Sequence, residues 1–219
     1  MKVSYKVKEV KKRVFLLEFQ DHYDMCMTFL RYQEFYESPN PKFRGKPFKI
    51  LDFMKWYSTA FGEGVFTYPI DWDGFNIPSD VVPTLREKLR DKECPDFNDY
   101  DEIMSKAWHK CAGKSDNKPF YIIGTLGGND DAKEHEIAHA FFYLYPAYKK
   151  RMNKLVKELK PETREKINRE LKRLGYTSHV FTDETQAYMS TGLNPSFDNY
   201  EDERGPFKDF FKEFSEKTK

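Results

Sequence analysis

His135-Glu136-Ile137-Ala138-His139 is the stretch of this chain whose residue types and spacing could do chemistry. It fits the pattern H-E-x-x-H. On an α-helix, residues four apart project from nearly the same face, so His135 and His139 could bind one zinc ion together. Glu136 would lie about 100° around the helix from His135, beside the metal rather than bound to it. A carboxylate in that position can act as general base on a zinc-activated water. The motif then needs a helix to carry it, a third ligand and a cleft.

The helix is supplied locally. Phe120-Tyr121-Ile122-Ile123-Gly124-Thr125-Leu126 reads as a buried strand, and Gly127-Gly128-Asn129-Asp130 as a tight connection. Asn129 or Asp130 can cap a helix beginning near Asp131, which then carries the motif and the apolar Phe141, Phe142 and Leu144 up to Pro146. Two lysine-rich amphipathic helices follow, Ala147 to Lys160 and one opened by Pro161 and closed by Gly175. Their basic residues are interleaved with Glu and read as a solvated face.

Candidate third ligands lie between residues 176 and 192. Thr182 can cap a helix running Asp183 to Ser190, with Gly192 at its end. Glu184 would project from its first turn, with the small Ala187 on the same side, allowing close approach to the histidine helix. His179 and Asp183 are the competing ligands. His179 and Tyr176 are also candidate donors to a transition-state oxyanion.

The pair of motifs, His135-Glu136-x-x-His139 and Glu184-x-x-Ala187, resembles the zincin metallopeptidases, specifically the glutamate-ligand branch called gluzincins. The resemblance covers roughly residues 120–192. It implies that His135, His139 and Glu184 bind Zn2+ and that Glu136 polarises the attacking water in peptide-bond hydrolysis. Phe142 and Tyr145 stand where the extended metzincin pattern has Gly and a third His. If the strand Phe120–Leu126 lies at a sheet edge, it could bind an extended peptide by strand addition. The alternative reading is a non-catalytic or latent zinc-binding interaction domain. In the latent form Cys26, Cys94, Cys111, Asp71 or Asp73 would block the fourth zinc position.

The remaining chain supports an α+β fold, mostly helical with a small mixed sheet. Residues 3–19 suggest one or two strands; 21–37, 48–61, 83–92 and 99–112 suggest helices, the last capped by Asn98 or Asp99. Residues 63–83 read as a short strand, Val65 to Tyr68, and an ordered loop whose aromatics either anchor the core or line a cleft. Phe207, Phe210, Phe211 and Phe214 suggest a short terminal helix after Gly205-Pro206. A boundary near the turn-like 115–119 separates an N-terminal α+β lobe, residues 1–117, from a zincin-like catalytic lobe, residues 118–219.

With 219 residues and a net charge of +1, the chain has no strong field pointing to nucleic acid or membrane. Twenty Phe and fourteen Tyr can build a solid core despite 33% charged residues. No continuous apolar run suggests a leader peptide, and three widely spaced cysteines suggest a reducing cytoplasm. The expected partner is a peptide or protein substrate.

Overall fold

Residues 3–90 and 96–218 are described by a computed structural model. Cys94 falls outside them. The architecture is α+β: a four-stranded mixed sheet and a majority of helix. Contacts divide the chain into two compact units. One holds the chain up to Glu9 and from Arg13 to Asn129; the other holds Val10–Lys12 and everything from Asp130 onward.

β1 (Tyr5–Lys11), in the first unit up to Glu9, leads through a tight turn, where Arg13 has φ 64°, into β2 (Val14–Phe19). The helix α1 (His22–Glu37) follows, capped by Asp21, whose side chain accepts from the Asp24 amide. Then come α2 (Ile50–Ala60), a one-turn α3 (Tyr68–Asp71), β3 (Gly74–Pro78), α4 (Val81–Arg90), α5 (Asp99–Lys114) and β4 (Tyr121–Leu126). The cap of α5 is a full capping box, Asn98 and Asp101 each accepting the other's backbone N–H.

The sheet order is β1-β2-β4-β3, with β4 parallel to β2 and antiparallel to β3. β4 is therefore interior, and both its hydrogen-bonding edges are used. This removes strand addition at residues 120–126. It also explains why the division falls at Asn129–Asp130 rather than near residue 117: β4 is held in the sheet of the first unit. Gly124 of β4 sits opposite Phe75 of β3 and beneath Phe29 of α1. A Cβ there would lie 2.3 Å from Phe29 Cε2, so only glycine lets that ring stack on Phe75, at 5.5 Å between centroids.

Residues 63–83 fold differently from the sequence expectation. There is no strand at Val65–Tyr68; the strand is β3, and Tyr68 opens α3. Tyr68 and Phe75 are buried among Phe53, Tyr57 and Phe29, with Phe66 and Trp72 packed against them. The aromatics of this stretch are core anchors.

The second unit is a helical cluster: α6 (Asp130–Leu144), α7 (Pro146–Glu158), α8 (Pro161–Arg173), α9 (Phe181–Thr191), a short 3-10 helix over Pro195–Tyr200 and α10 (Glu201–Lys217). α10 begins before Gly205-Pro206 and carries Pro206 inside it. Its aromatic face docks as expected, with Phe211 and Phe214 against Phe141 of α6 and Phe210 stacked on Tyr148 of α7. Among the described residues, no helix is long and apolar enough to cross a membrane.

Two buried polar groups in the first unit give testable stabilities. Arg31, 1% exposed, makes a two-pronged ion pair with Asp101 at 2.9 and 3.1 Å and donates to Phe48 O. Asp101→Ala takes the buried carboxylate from this guanidinium, leaving it Phe48 O and the half-buried Asp96, and should cost about 3 kcal/mol in urea denaturation. Burial pushes the Glu34 carboxyl up from an ordinary 4.5 to about 7, against hydrogen bonds from Ser38 and Tyr68 that pull it down. The folded state therefore holds this proton more tightly than the unfolded one, and stability falls as pH rises from about 4.5 to about 7. Glu34→Gln should remove that part of the decline, so the wild type should lose ground to the variant across this window in melts at stepped pH.

Candidate metal centre

From His135 to Phe142 every residue of α6 is buried. His135, Glu136 and His139 are 3%, 5% and 4% exposed, among Ile137, Ala138, Ala140 and Phe141. A helix stretch buried all round occupies the middle of a cluster, where its polar groups must find partners. α9 packs along α6, and the fully buried Ala138 and Ala187 permit close approach. α9 begins at Phe181, its first bond running from the Glu184 amide to Val180 O at 2.9 Å. The expected cap Thr182 is instead an exposed first-turn residue. At the other end Gly192 takes φ 71°, and its missing Cβ leaves room for Arg204, whose Nε donates to Met189 O.

This packing brings His135, His139 and Glu184 together as a group able to hold a metal ion. The two Nε2 atoms are 3.2 Å apart, and Glu184 Oε2 lies 3.9 Å from that of His135 and 3.7 Å from that of His139. A point equidistant from three atoms with those separations is about 2.1 Å from each, a bond length typical of imidazole and carboxylate ligands on a divalent transition metal. Glu184 Oε2 is buried and has no hydrogen-bond partner. An orphaned carboxylate oxygen facing two imidazole nitrogens fits a cation.

The tautomers follow from the outer partners. Thr191 Oγ1 donates to Ala187 O at 2.9 Å, so it accepts from His135 Nδ1 at 3.3 Å. Asp183 Oδ1 can only accept, at 3.0 Å from His139 Nδ1. Both Nδ1 atoms are thus donors outward, and both Nε2 lone pairs point into the triad. Burial, then the charge on His139, drives the His135 pKa well below the usual imidazole range. Burial also opposes charge on His139, but Asp183, Glu184 and Glu136 outweigh it and hold its pKa well above that range. The two shifts are opposite in direction: His139 is the ring that favours a proton and His135 the one that resists it.

Burial pushes the Glu184 carboxyl up to about 8, with Asp183 and Glu136 adding repulsion and His139 and a hydrogen bond from Tyr176 opposing it. Glu136 does not join the triad but is electrically coupled to Glu184, His139 and Tyr176. Tyr176 also bonds the Tyr188 hydroxyl at 3.2 Å, and Tyr188 lies against the His135 ring at 4.5 Å between centroids. Burial first, then Glu184, keeps the Tyr176 phenol protonated well past the usual range. His179 is exposed on the approach to α9, its Nδ1 paired with Thr177 Oγ1 at 2.5 Å. Asp183 faces Nδ1 of His139, on the far side of the ring from the triad. Among the groups weighed as blockers, Cys26 bonds Pro69 O, Asp71 bonds Tyr57 and Thr67, and Cys111 is buried in α5, all within the first unit.

Sequence reasoning brought forward the three members of the group. It did not find Thr191, Gln186 or Tyr188, whose only sequence signal is helical spacing, Tyr188 and Thr191 from Glu184 and Gln186 from Asp183. No family model, curated protein or solved structure matches the chain. The wild type should take up one divalent ion per chain. Glu184→Ala should weaken that binding by more than the roughly 10–100-fold expected for loss of an outer partner, measured against a competing chelator.

Proposed function

We propose that this chain is a zinc-dependent metallopeptidase of the zincin type, with His135, His139 and Glu184 as ligands. The observation that carries the reading is the buried, partnerless Glu184 Oε2 facing two imidazole lone pairs, with Glu136 one residue along the same helix. Two nitrogens and one carboxylate oxygen suit zinc. The described group offers three protein ligands, whereas structural zinc sites are closed by four; three ligands are the pattern of catalytic sites.

Bound zinc would supply a Lewis acid that acidifies water and polarises a peptide carbonyl. The chain's own residues divide the remaining work. Glu136 accepts a proton from the attacking water and returns it to the leaving amine. Asp183 and Thr191 fix the ring tautomers, so both Nε2 lone pairs face the group. Tyr176 holds the Glu184 carboxylate through its hydroxyl.

Glu136→Gln removes the base while keeping size and ligands. Zinc stoichiometry should be unchanged, and hydrolysis of an unfolded protein substrate should drop about 10²–10⁴-fold. Full activity in that variant would overturn the mechanism. Zinc binding with no hydrolysis by the wild type on broad peptide mixtures would leave a non-catalytic zinc domain.

A further inference from the structure

We infer that Asp183 and Gln186 are positioning residues for His139, forming a relay that runs from α7 through α9 into the metal group. The inference rests on the metal-binding part of the reading above and not on peptide hydrolysis.

Gln186 is fully buried, and its amide orientation is forced. Its Nε2 lies 2.9 Å from Asp183 Oδ1 and 3.3 Å from Ala138 O. Both of those atoms can only accept, so both need the NH2 end of the amide. The remaining Oε1 accepts from the Tyr148 hydroxyl at 3.2 Å. Every polar atom of this buried amide is used, which makes it a fixed strut between α6, α7 and α9.

Asp183 is the half-buried end of that strut. Its side chain is 27% accessible, and it stands in the first turn of α9. Oδ1 takes the Gln186 N–H and the His139 Nδ1–H together. Gln186 thereby holds the carboxylate oxygen, and the oxygen holds the ring. Without it, the imidazole could turn about its Cβ–Cγ bond and take Nε2 out of line with His135 and Glu184. A carboxylate on the far nitrogen also makes the near nitrogen a stronger ligand. Thr191 gives His135 a neutral acceptor at 3.3 Å, so the two rings are held unequally. The asymmetry predicts that the site depends more on Asp183 than on Thr191.

The test measures Zn2+ alone binding to the full chain, together with the imidazole N–H signals of ¹⁵N-labelled histidine. Asp183→Ala should weaken zinc about 10–100-fold and erase the downfield His139 Nδ1–H signal. Asp183→Asn keeps the accepting oxygen and should restore the signal and part of the affinity. Gln186→Ala should move both readouts in the same direction by less, and Thr191→Val should move affinity least. Thermal melts report folding separately: a carboxylate that only complements the helix dipole would lower the melting point without changing zinc affinity or the signal. Unchanged zinc affinity in Asp183→Ala overturns the proposal and leaves the metal reading standing. If the wild type takes no zinc, loss of the signal in Asp183→Ala still supports the positioning role while the metal reading falls. A signal that persists in Asp183→Ala, or is missing in the wild type, overturns the positioning role in either case.

Discussion

Two imidazole lone pairs aimed at one another across 3.2 Å repel unless positive charge lies between them. Neither ring can avoid this by changing tautomer, because each Nδ1 is committed outward, to Thr191 and to Asp183. Three carboxylates, Glu136, Asp183 and Glu184, bias the same small volume toward a cation. Burial makes every one of these terms stronger than it would be in water. The arrangement is satisfied by a proton on one ring or by a metal ion among three ligands, and the unpartnered Glu184 oxygen is what distinguishes the two. A proton between the rings leaves that oxygen orphaned; a metal ion does not.

The helices around the group are built to hold this frustration in place. α6 presents the motif from the middle of the cluster, where aromatic contacts from α7 and α10 fix its back. α9 brings acid to the group at its N-terminal turn, where carboxylates suit the helix dipole, and meets Arg204 at its opposite end. The two alanines in the seam, Ala138 and Ala187, matter because a larger side chain would hold the backbones apart and open the triad.

Legibility in the sequence followed the range of the interactions. The helix carrying the motif, the Asn98 cap, the Gly192 terminus and Glu184 were all readable, because each depends on residues within a turn or two. The strand Gly74–Pro78 was not. Gly, Asn and Pro are poor strand formers, and these residues become a strand through pairing with β4, more than forty positions away. The interior place of β4 has the same cause: periodicity shows that a strand is buried, and sheet order is a matter of partners. Thr182 has the right chemistry for a cap, yet the helix starts ahead of it at Phe181. Asp183 was visible as a possible ligand, but which nitrogen of which ring it meets depends on the rotation of α9 about its own axis.

That rotation has a wider meaning. Asp183, Glu184, Gln186 and Thr191 all sit on α9, and all reach the same pair of histidines or the backbone between them. A turn of this helix by one residue would break every one of those contacts at once. Completion of the ligand set is therefore tied to docking of α9: α6 alone supplies two histidines and no third ligand. By thermodynamic linkage, an ion that prefers the complete set holds the helix down, and anything that loosens the helix releases the ion. A metal ion held by these three residues would then gauge the protein's tertiary structure as much as its chemistry.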